Sequence, residues 1–250
     1  MIILPTSWEQ VSYNQFLEIK EISKDDNIFL QYINILSILT NTNPEDSMWS
    51  ELGLADLKAY IKQISWINQL PKFDLKNELN LFKLKPNEDL TLGEYLDIDY
   101  YFTNNYLENL PKIAAIYYRH YKHDEYDNIL LETYQNIDIG KRAIEFGNNS
   151  VLLLLPLIQY FNEYKLWIVN NNPNLFVPIL DNEEGLDEED LNDPIVQQEI
   201  AKEKLLEAWS WEHILHKLTN GDITKNNSIL DLPFIMILNQ LAFRKQFNLD

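Results

Sequence analysis

Thr91 to Tyr121, reading TLGEYLDIDYYFTNNYLENLPKIAAIYYRHY, constrains the fold of this chain more than any other stretch. Thr91 and Glu94 have the Thr-x-x-Glu spacing of a capping box, in which the hydroxyl accepts from one orphan amide of a helix start and the carboxylate reaches back to another. A helix is therefore expected to begin at Thr91. After the Asn104-Asn105 break, a second helix should carry Leu107, Leu110, Ala114 and Tyr117 or Tyr118.

The rest of the chain repeats this helical reading. Thr6 and Glu9 also have capping-box spacing, so a first helix is expected from near Ser7, with Trp8, Val11, Gln15, Phe16 and Ile19 on it. Phe29, Tyr32, Ile33, Leu36 and Leu39 make an i, i+3, i+4 stripe and predict a helix from about Ile28 to Leu39. Asn43-Pro44-Glu45-Asp46 looks like a helix start, with Asn as cap and Pro at the first helical position. Leu54 to Leu70 repeats apolar residues at helical spacing until Pro71 closes it. Phe73 to Lys85 alternates in part as a strand would and reads as a short strand or extended linker. The polar stretch Lys122 to Asp127 reads as a loosening of the chain. Further helices are expected over Ile139 to Phe146 and Val151 to Val169, the latter with a possible kink at Pro156.

Asn170 to Pro178 has no surviving period and reads as loop. Asp181 to Asp193 then holds eight acids in thirteen positions and is the clearest boundary. A helix is expected from Pro194 to Leu218, ended by Asn220-Gly221, and a last one over Leu232 to Phe247. The expected organisation is a helical main domain over 1–175, an acidic loop over 176–193 and a C-terminal helical extension over 194–250. The fold class is mostly α: a multi-helix orthogonal bundle with an acidic loop and that C-terminal extension.

Composition excludes several functional classes. With 39 acidic and 20 basic residues the net charge is −19, which opposes binding to a polyphosphate backbone, so sequence-specific nucleic-acid recognition is not expected. Such a charge suits a soluble subunit, or the wall of a passage through which DNA slides without sticking. No cysteine is present, which removes disulfides, thiolate zinc sites and cysteine nucleophiles. The first residues, MIILPTSWEQ, lack the basic and long apolar regions of a secretory signal. Val151 to Ile158 contains Pro156 and is far shorter than the roughly 20 residues of a membrane span.

Each candidate constellation fails a chemical test. His120 and His123, and His213 and His216, are two pairs at three-residue spacing, but neither matches a metalloprotease HExxH, and the ligand set is incomplete. The run from Asp181 places Leu186 and Asn192 where a calcium loop needs Gly and Glu. Asp97 and Asp99 lie two apart on one helix and point to different faces. No Gly-x-Ser-x-Gly elbow or Gly-Lys-Ser/Thr loop occurs, and Gly140-Lys141-Arg142 is a basic island expected to pair with nearby acids. No catalytic, cofactor-binding or metal residues are therefore assigned, and no cofactor or enzymatic activity is expected. Six Trp and fourteen Tyr remain, as core packing or as interface anchors. Trp209 and Trp211 flank Ser210 and face apart, so at least one is expected to leave the local core.

ILPTSWEQVSYNQFLEI, ILSILTN with ELGLADLKAYIKQISWI, TLGEYLDIDYYF and KIAAIYYRHY together resemble a family of small virion and assembly proteins of tailed bacteriophages, especially crAss-like phages. The matching elements are Pro5 to Glu9, Thr91 to Asp97 and Ile113 to Arg119, and the resemblance covers roughly residues 2 to 165. It implies a non-enzymatic structural protein of the virion, a ring-forming head–tail connector or tail component that acts by homo-oligomerising beside portal or tail proteins. DNA would pass through the assembled channel, with assembly in the host cytoplasm. The alternative it implies is a tail assembly chaperone that the mature particle does not retain. Asp181 to Asp250 matches nothing in that family.

Overall fold

The computed structural model describes residues 3–22, 27–69, 73–79, 81–173, 175 and 210–247, and within them the chain is mostly helical with a small antiparallel sheet. In chain order the helices are α1 (Tyr13–Glu21), α2 (Ile28–Thr40), α3 (Ser47–Ser50), α4 (Leu54–Gln63), α5 (Leu92–Thr103), α6 (Tyr106–Tyr117), α7 (Ile139–Gly147), α8 (Val151–Leu154), α9 (Pro156–Asn171), α10 (Ser210–Thr219), α11 (Asn226–Leu230) and α12 (Phe234–Gln246). The strands are β1 (Glu78–Leu79), β2 (Phe82–Leu84), β3 (Tyr118–His123) and β4 (Ile129–Leu131), hydrogen-bonded in the order β1-β2-β3-β4. Two compact units result: Met1–Pro86 with Asp97–Asn162, and Asn87–Leu96 with Glu163–Asp250. Helices α5 and α9 each contribute to both. The acidic run Asp181 to Asp193 and the expected helix from Pro194 up to Trp209 lie outside the described residues.

The capping box at Thr91 forms as its spacing predicts. The Thr91 amide donates to Glu94 Oε2 at 2.7 Å, and the Glu94 amide donates to Thr91 Oγ1 at 3.3 Å. The expected box at Thr6 does not form. The Thr6 amide is taken by Gln10 Oε1 at 2.7 Å, Trp8–Gln10 is only a 3₁₀ turn, and the box appears instead between Ser12 and Gln15 at the head of α1. Asn43 likewise caps no helix. Its side chain accepts from the Glu45 amide in a local turn, and α3 starts at Ser47.

Reciprocal backbone bonds join two pairs of helix starts. The Tyr13 amide donates to Asn149 O and the Val151 amide to Val11 O, at 2.9 and 3.0 Å, so α1 and α8 begin side by side. In the second unit the Leu92 amide donates to Leu232 O and the Phe234 amide to Leu90 O, at 2.9 and 2.8 Å. Each exchange satisfies one orphan amide at each helix start, which a buried terminus would otherwise leave unbonded.

In the first unit, α6 is the central element. Leu110 to Tyr117 are buried apart from Lys112, as expected of a helix apolar on nearly every side. Pro111 lies inside α6 and has no amide to donate to the carbonyl of Leu107. The hydroxyl of fully buried Tyr13 donates to that carbonyl at 2.5 Å and so replaces the missing helical bond from another helix. Tyr13→Phe should therefore lower stability by about 1–3 kcal/mol, the cost of a buried acceptor left alone, and a reduced urea midpoint with an unchanged slope would show it. A separate core gathers Leu4, Val11, Leu36, Leu39, Trp49, Leu57 and Ile64 between α1, α2, α3 and α4.

Three further expectations are corrected. The polar stretch Lys122 to Asp127 is no loosening but the turn of a hairpin: β3 pairs with β4 from Tyr121↔Leu131 to His123↔Ile129. Asp124 Oδ1 accepts from the amides of Tyr126 and Asn128, both at 2.8 Å, and Asp127 adopts a left-handed φ of 62°. The helix expected over Val151 to Val169 divides at Leu155, and Pro156 opens α9 instead of kinking a single rod. The helix expected over Leu54 to Leu70 ends at Gln63 and continues only as a 3₁₀ turn, Ser65–Asn68. Phe73 to Lys85, read as a strand or linker, supplies β1 and β2, with Glu78↔Lys83 and Leu79↔Phe82 in register. The expected helix from Pro194 to Leu218 is seen only in its last part, α10, after which Asn220 and Gly221 take positive φ values of 53° and 78°.

The second unit packs on aromatic rings. Tyr95 and Phe234 stack with centroids 3.8 Å apart and an interplanar angle of 13°. Trp211 meets both edge-on at 5.9 Å, and Tyr164 meets Tyr95 edge-on at 6.3 Å. Of the tryptophan pair flanking Ser210, Trp211 thus joins the local core, while Trp209 is outside the described residues.

Candidate functional site

The first unit places its most unusual polar chemistry around β3. Successive side chains of a strand point to opposite faces, so Tyr118 and His120 share one face and Arg119 takes the other. On the Tyr118 face, the Phe82 ring stacks on His120 at 4.2 Å and meets Phe146 at 5.3 Å. The Arg142 guanidinium lies 5.5 Å from the Phe82 centroid and is 8% exposed, and its Nη2 donates to Glu132 Oε2 at 2.7 Å. The basic island of residues 140–142 thus pairs with an acid, as its setting predicts.

On the other face, Arg119 is fully buried and its guanidinium sits 5.2 Å from the centre of the Tyr134 ring. The Tyr134 hydroxyl donates to Asp97 Oδ2 on α5. Three segments distant in sequence therefore meet at one phenol: α5, β3 and the 3₁₀ turn after β4. Burial raises the Tyr134 phenol well above its ordinary range, the bond to Asp97 and the charge of that carboxylate add to the rise, and Arg119 opposes it. Tyr101 is raised too, chiefly by burial and then by Asp97. A phenol held protonated between a cation and a carboxylate is a hydrogen-bond donor, not a base. Arg119 is closed off from solvent, whereas Tyr134 and Asp97 are partly exposed, and the three side chains fix the hairpin against α5.

The other residues singled out in the sequence are dispersed. His120 stacks on Phe82, whereas His123 lies at the hairpin turn with Nδ1 2.9 Å from Asp127 Oδ1, so the pair does not converge. His216 packs against the turn at Gly221, where an added Cβ would come within 3.1 Å of its ring. His213 is in α10 but its side chain is outside the described residues. Asp97 is committed to Tyr134, two residues before Asp99 in the same helix. Among the described residues, no three His, Asp or Glu side chains are grouped to hold a metal ion, and no helix is long and apolar enough to cross a membrane.

Two open polar grooves of 380 and 390 Å³ share Asn41. Glu18, Glu21 and Asn34 line one, and Glu9, Ser12 and Ser150 the other. Gln15 beside them is already engaged: its Nε2 donates to Ile38 O at 2.9 Å while its Oε1 accepts from the Ser12 amide at 3.0 Å. The Gln15 bond to Ile38 ties α1 to α2.

Sequence reasoning missed Arg119 as a buried group. The signal was present in the alternation Tyr118-Arg119-His120-Tyr121-Lys122-His123, a strand-like period following an aliphatic helix. Comparison of the chain with protein-family models, with curated proteins and with solved structures gave no match.

Proposed function

We propose that this chain is a non-enzymatic structural protein of a bacteriophage virion, a ring-forming head–tail connector or tail component that works by oligomerising. In this reading its helices form an orthogonal bundle with a C-terminal extension, packed side by side against copies of itself and against portal or tail proteins. The observation that carries the reading is apolar side chains left at the surface. Near the end of α9, Leu166, Trp167 and Val169 are 64%, 44% and 44% exposed, and Tyr126 at the hairpin tip is 79% exposed. Apolar groups clustered in this way mark contact surfaces, and Trp and Tyr are favoured anchors in them. A closed ring needs two different complementary patches on each subunit, which separate apolar features can provide. The acid excess would face solvent or a DNA channel. The motifs that carry the phage resemblance have scaffold roles, as in the Thr91 box and the Arg119 cluster, which suits a protein that acts through shape.

The same apolar surface suits a tail assembly chaperone that holds a client and is then lost. Mass spectrometry of purified virions separates the two: the connector reading expects this chain in mature particles, and its absence there would sink that reading. Light scattering should give masses at multiples of 29.7 kDa, shifted toward one subunit by Leu166→Asp with Trp167→Asp.

A further inference from the structure

We propose that the free edge of β4 pairs antiparallel with β4 of a second copy of the chain, about a two-fold axis at Leu130. The pairing goes beyond the ring reading and stands apart from it, because a two-fold contact closes on two subunits whereas a ring needs two different patches. Strand β4 is at one end of the sheet, and the bonds it already makes fix which of its groups are left. The Asp124 amide donates to Asn128 O at 3.0 Å and the Glu132 amide to His120 O at 2.8 Å, with Lys122↔Leu130 in register between them. Antiparallel bonding alternates along a strand, so Asn128, Leu130 and Glu132 turn their backbone groups to β3, and Ile129 and Leu131 turn theirs away. Among the described residues nothing bonds to those outward amides and carbonyls.

This pattern is its own complement. Two outward-bonding residues on either side of Leu130 are exchanged by a two-fold axis through it: Ile129 bonds Leu131 of the second copy, Leu131 bonds Ile129, and each exchange closes both an amide and a carbonyl. The side chains agree. Leu130 faces Leu130 of the second copy in a non-bonded pair, where side chains approach most closely. On the other face Tyr121 and Leu131 continue into Ile129 and His123 of the second copy as one row across the strands. Ile129 and Leu130 are 42% and 44% exposed, and the pairing covers both. Charge agrees as well, which matters between copies of net charge −19. Residues 128–131 carry none, Asp127 sits against His123, and Glu132 is paired with Arg142 and falls opposite Asn128 of the second copy. The far edge of the sheet is different: β1 has only two residues, and one of them, Glu78, is an acid paired with Lys83 at 3.2 Å. Short charged edges resist pairing, whereas an uncharged apolar edge is a template for another strand.

The chain has no cysteine, so one introduced thiol reports on its own partner. Cα atoms of a non-bonded antiparallel pair lie about 4.5 Å apart, within disulfide reach. In the full chain at high concentration with oxidised glutathione, Leu130→Cys should give a linked dimer about tenfold faster or more than Ile144→Cys, a more exposed position on α7. Ile129→Cys and Leu131→Cys should link slowly alone and quickly when mixed, since each faces the other's position. Leu130→Lys sets like charges together on the axis and should raise the concentration needed for pairing about tenfold, and mixing it with Leu130→Glu should restore the pair. Circular dichroism verifies the fold of each variant. Hydrogen exchange needs no variant: in the wild-type chain the amides of Ile129 and Leu131 should become protected as concentration rises. Equal linking at residues 130 and 144 overturns the pairing. Protection of both amides at every dilution places a segment of the same chain on the edge, and exposure at every concentration leaves it for a different protein; either result overturns a second copy as the occupant. Retention in the virion tests the connector reading separately, so the two can fail independently.

Discussion

Arg119→Ala should lower the stability of the chain by about 3–5 kcal/mol, a large part of the roughly 5–15 kcal/mol that holds a domain together. The side chain is fully buried, so its desolvation has to be offset by what surrounds it, which includes the Tyr134 ring at 5.2 Å and, through the Tyr134 hydroxyl, Asp97. Truncation removes the cation, leaves a cavity beside the ring and strips Asp97 of a compensating charge. Arg119→Lys should fall between, because an ammonium keeps the charge but not the flat face that covers a ring. Arg119→Met with Asp97→Asn should recover much of the loss, since a matched removal of both charges leaves neither one buried alone. Urea unfolding at neutral pH measures all three. An alanine variant within about 0.5 kcal/mol of wild type would show that the cluster does not hold the hairpin to α5, and Arg119 would then need another reason for its burial.

How far the sequence revealed this arrangement differs from residue to residue. Thr91 and Glu94 were legible because a capping box is local: both partners lie within one turn, and the backbone they serve is their own. Helix α2 was legible for a similar reason, through its apolar stripe. Thr6 failed because a second acceptor lay one residue beyond Glu9. Gln10 took the Thr6 amide, and the pairing of Val11 with Val151 then moved the helix start to Ser12. Tyr118 to His123 follow the aliphatic run of α6 with no Gly or Pro at the junction, so the change of period was masked by the run before it. Pro111 could sit inside α6 only because Tyr13, far away in sequence, supplies the bond its ring denies. The Arg119 cluster draws on α5, β3 and the turn after β4, and pairings at such separations leave no local pattern. The last helix was expected over Leu232 to Phe247, but the exposure of Met236 and Phe243 on it depends on what α12 packs against. Sequence periodicity predicts a face, not whether a neighbour covers it.

Above about pH 10 the chain should unfold steeply, with tyrosinate absorbance and loss of helical circular dichroism rising together. Tyr13 and Tyr118 are fully buried, and burial raises both phenols far above their ordinary range, with Tyr106 and Tyr160 adding smaller terms in the same direction. Tyr134 is raised likewise by burial and Asp97. All three spend their protons on the native structure: Tyr13 on Leu107 O, Tyr118 on Lys76 O and Tyr134 on Asp97. For a group whose folded pKa is raised, the stabilisation is complete below the unfolded pKa and is lost as pH climbs toward the folded one. Below about pH 10 both states keep these protons and stability does not respond to them. Above it the unfolded chain releases them while the native chain does not, and each phenol costs about 1.4 kcal/mol per pH unit. The two fully buried phenols give about 2.7 kcal/mol per unit, and Tyr134, partly exposed and so screened by solvent, adds only a fraction of a further 1.4, enough together to exhaust a modest domain's stability by about pH 12 to 13. Tyr118→Phe should lower that slope by somewhat under one half while reducing stability at neutral pH through the loss of its bond to Lys76. Full tyrosinate absorbance reached while the helices remain intact would contradict the burial of these three hydroxyls, and with it the use of Tyr13 to complete the helix that Pro111 interrupts.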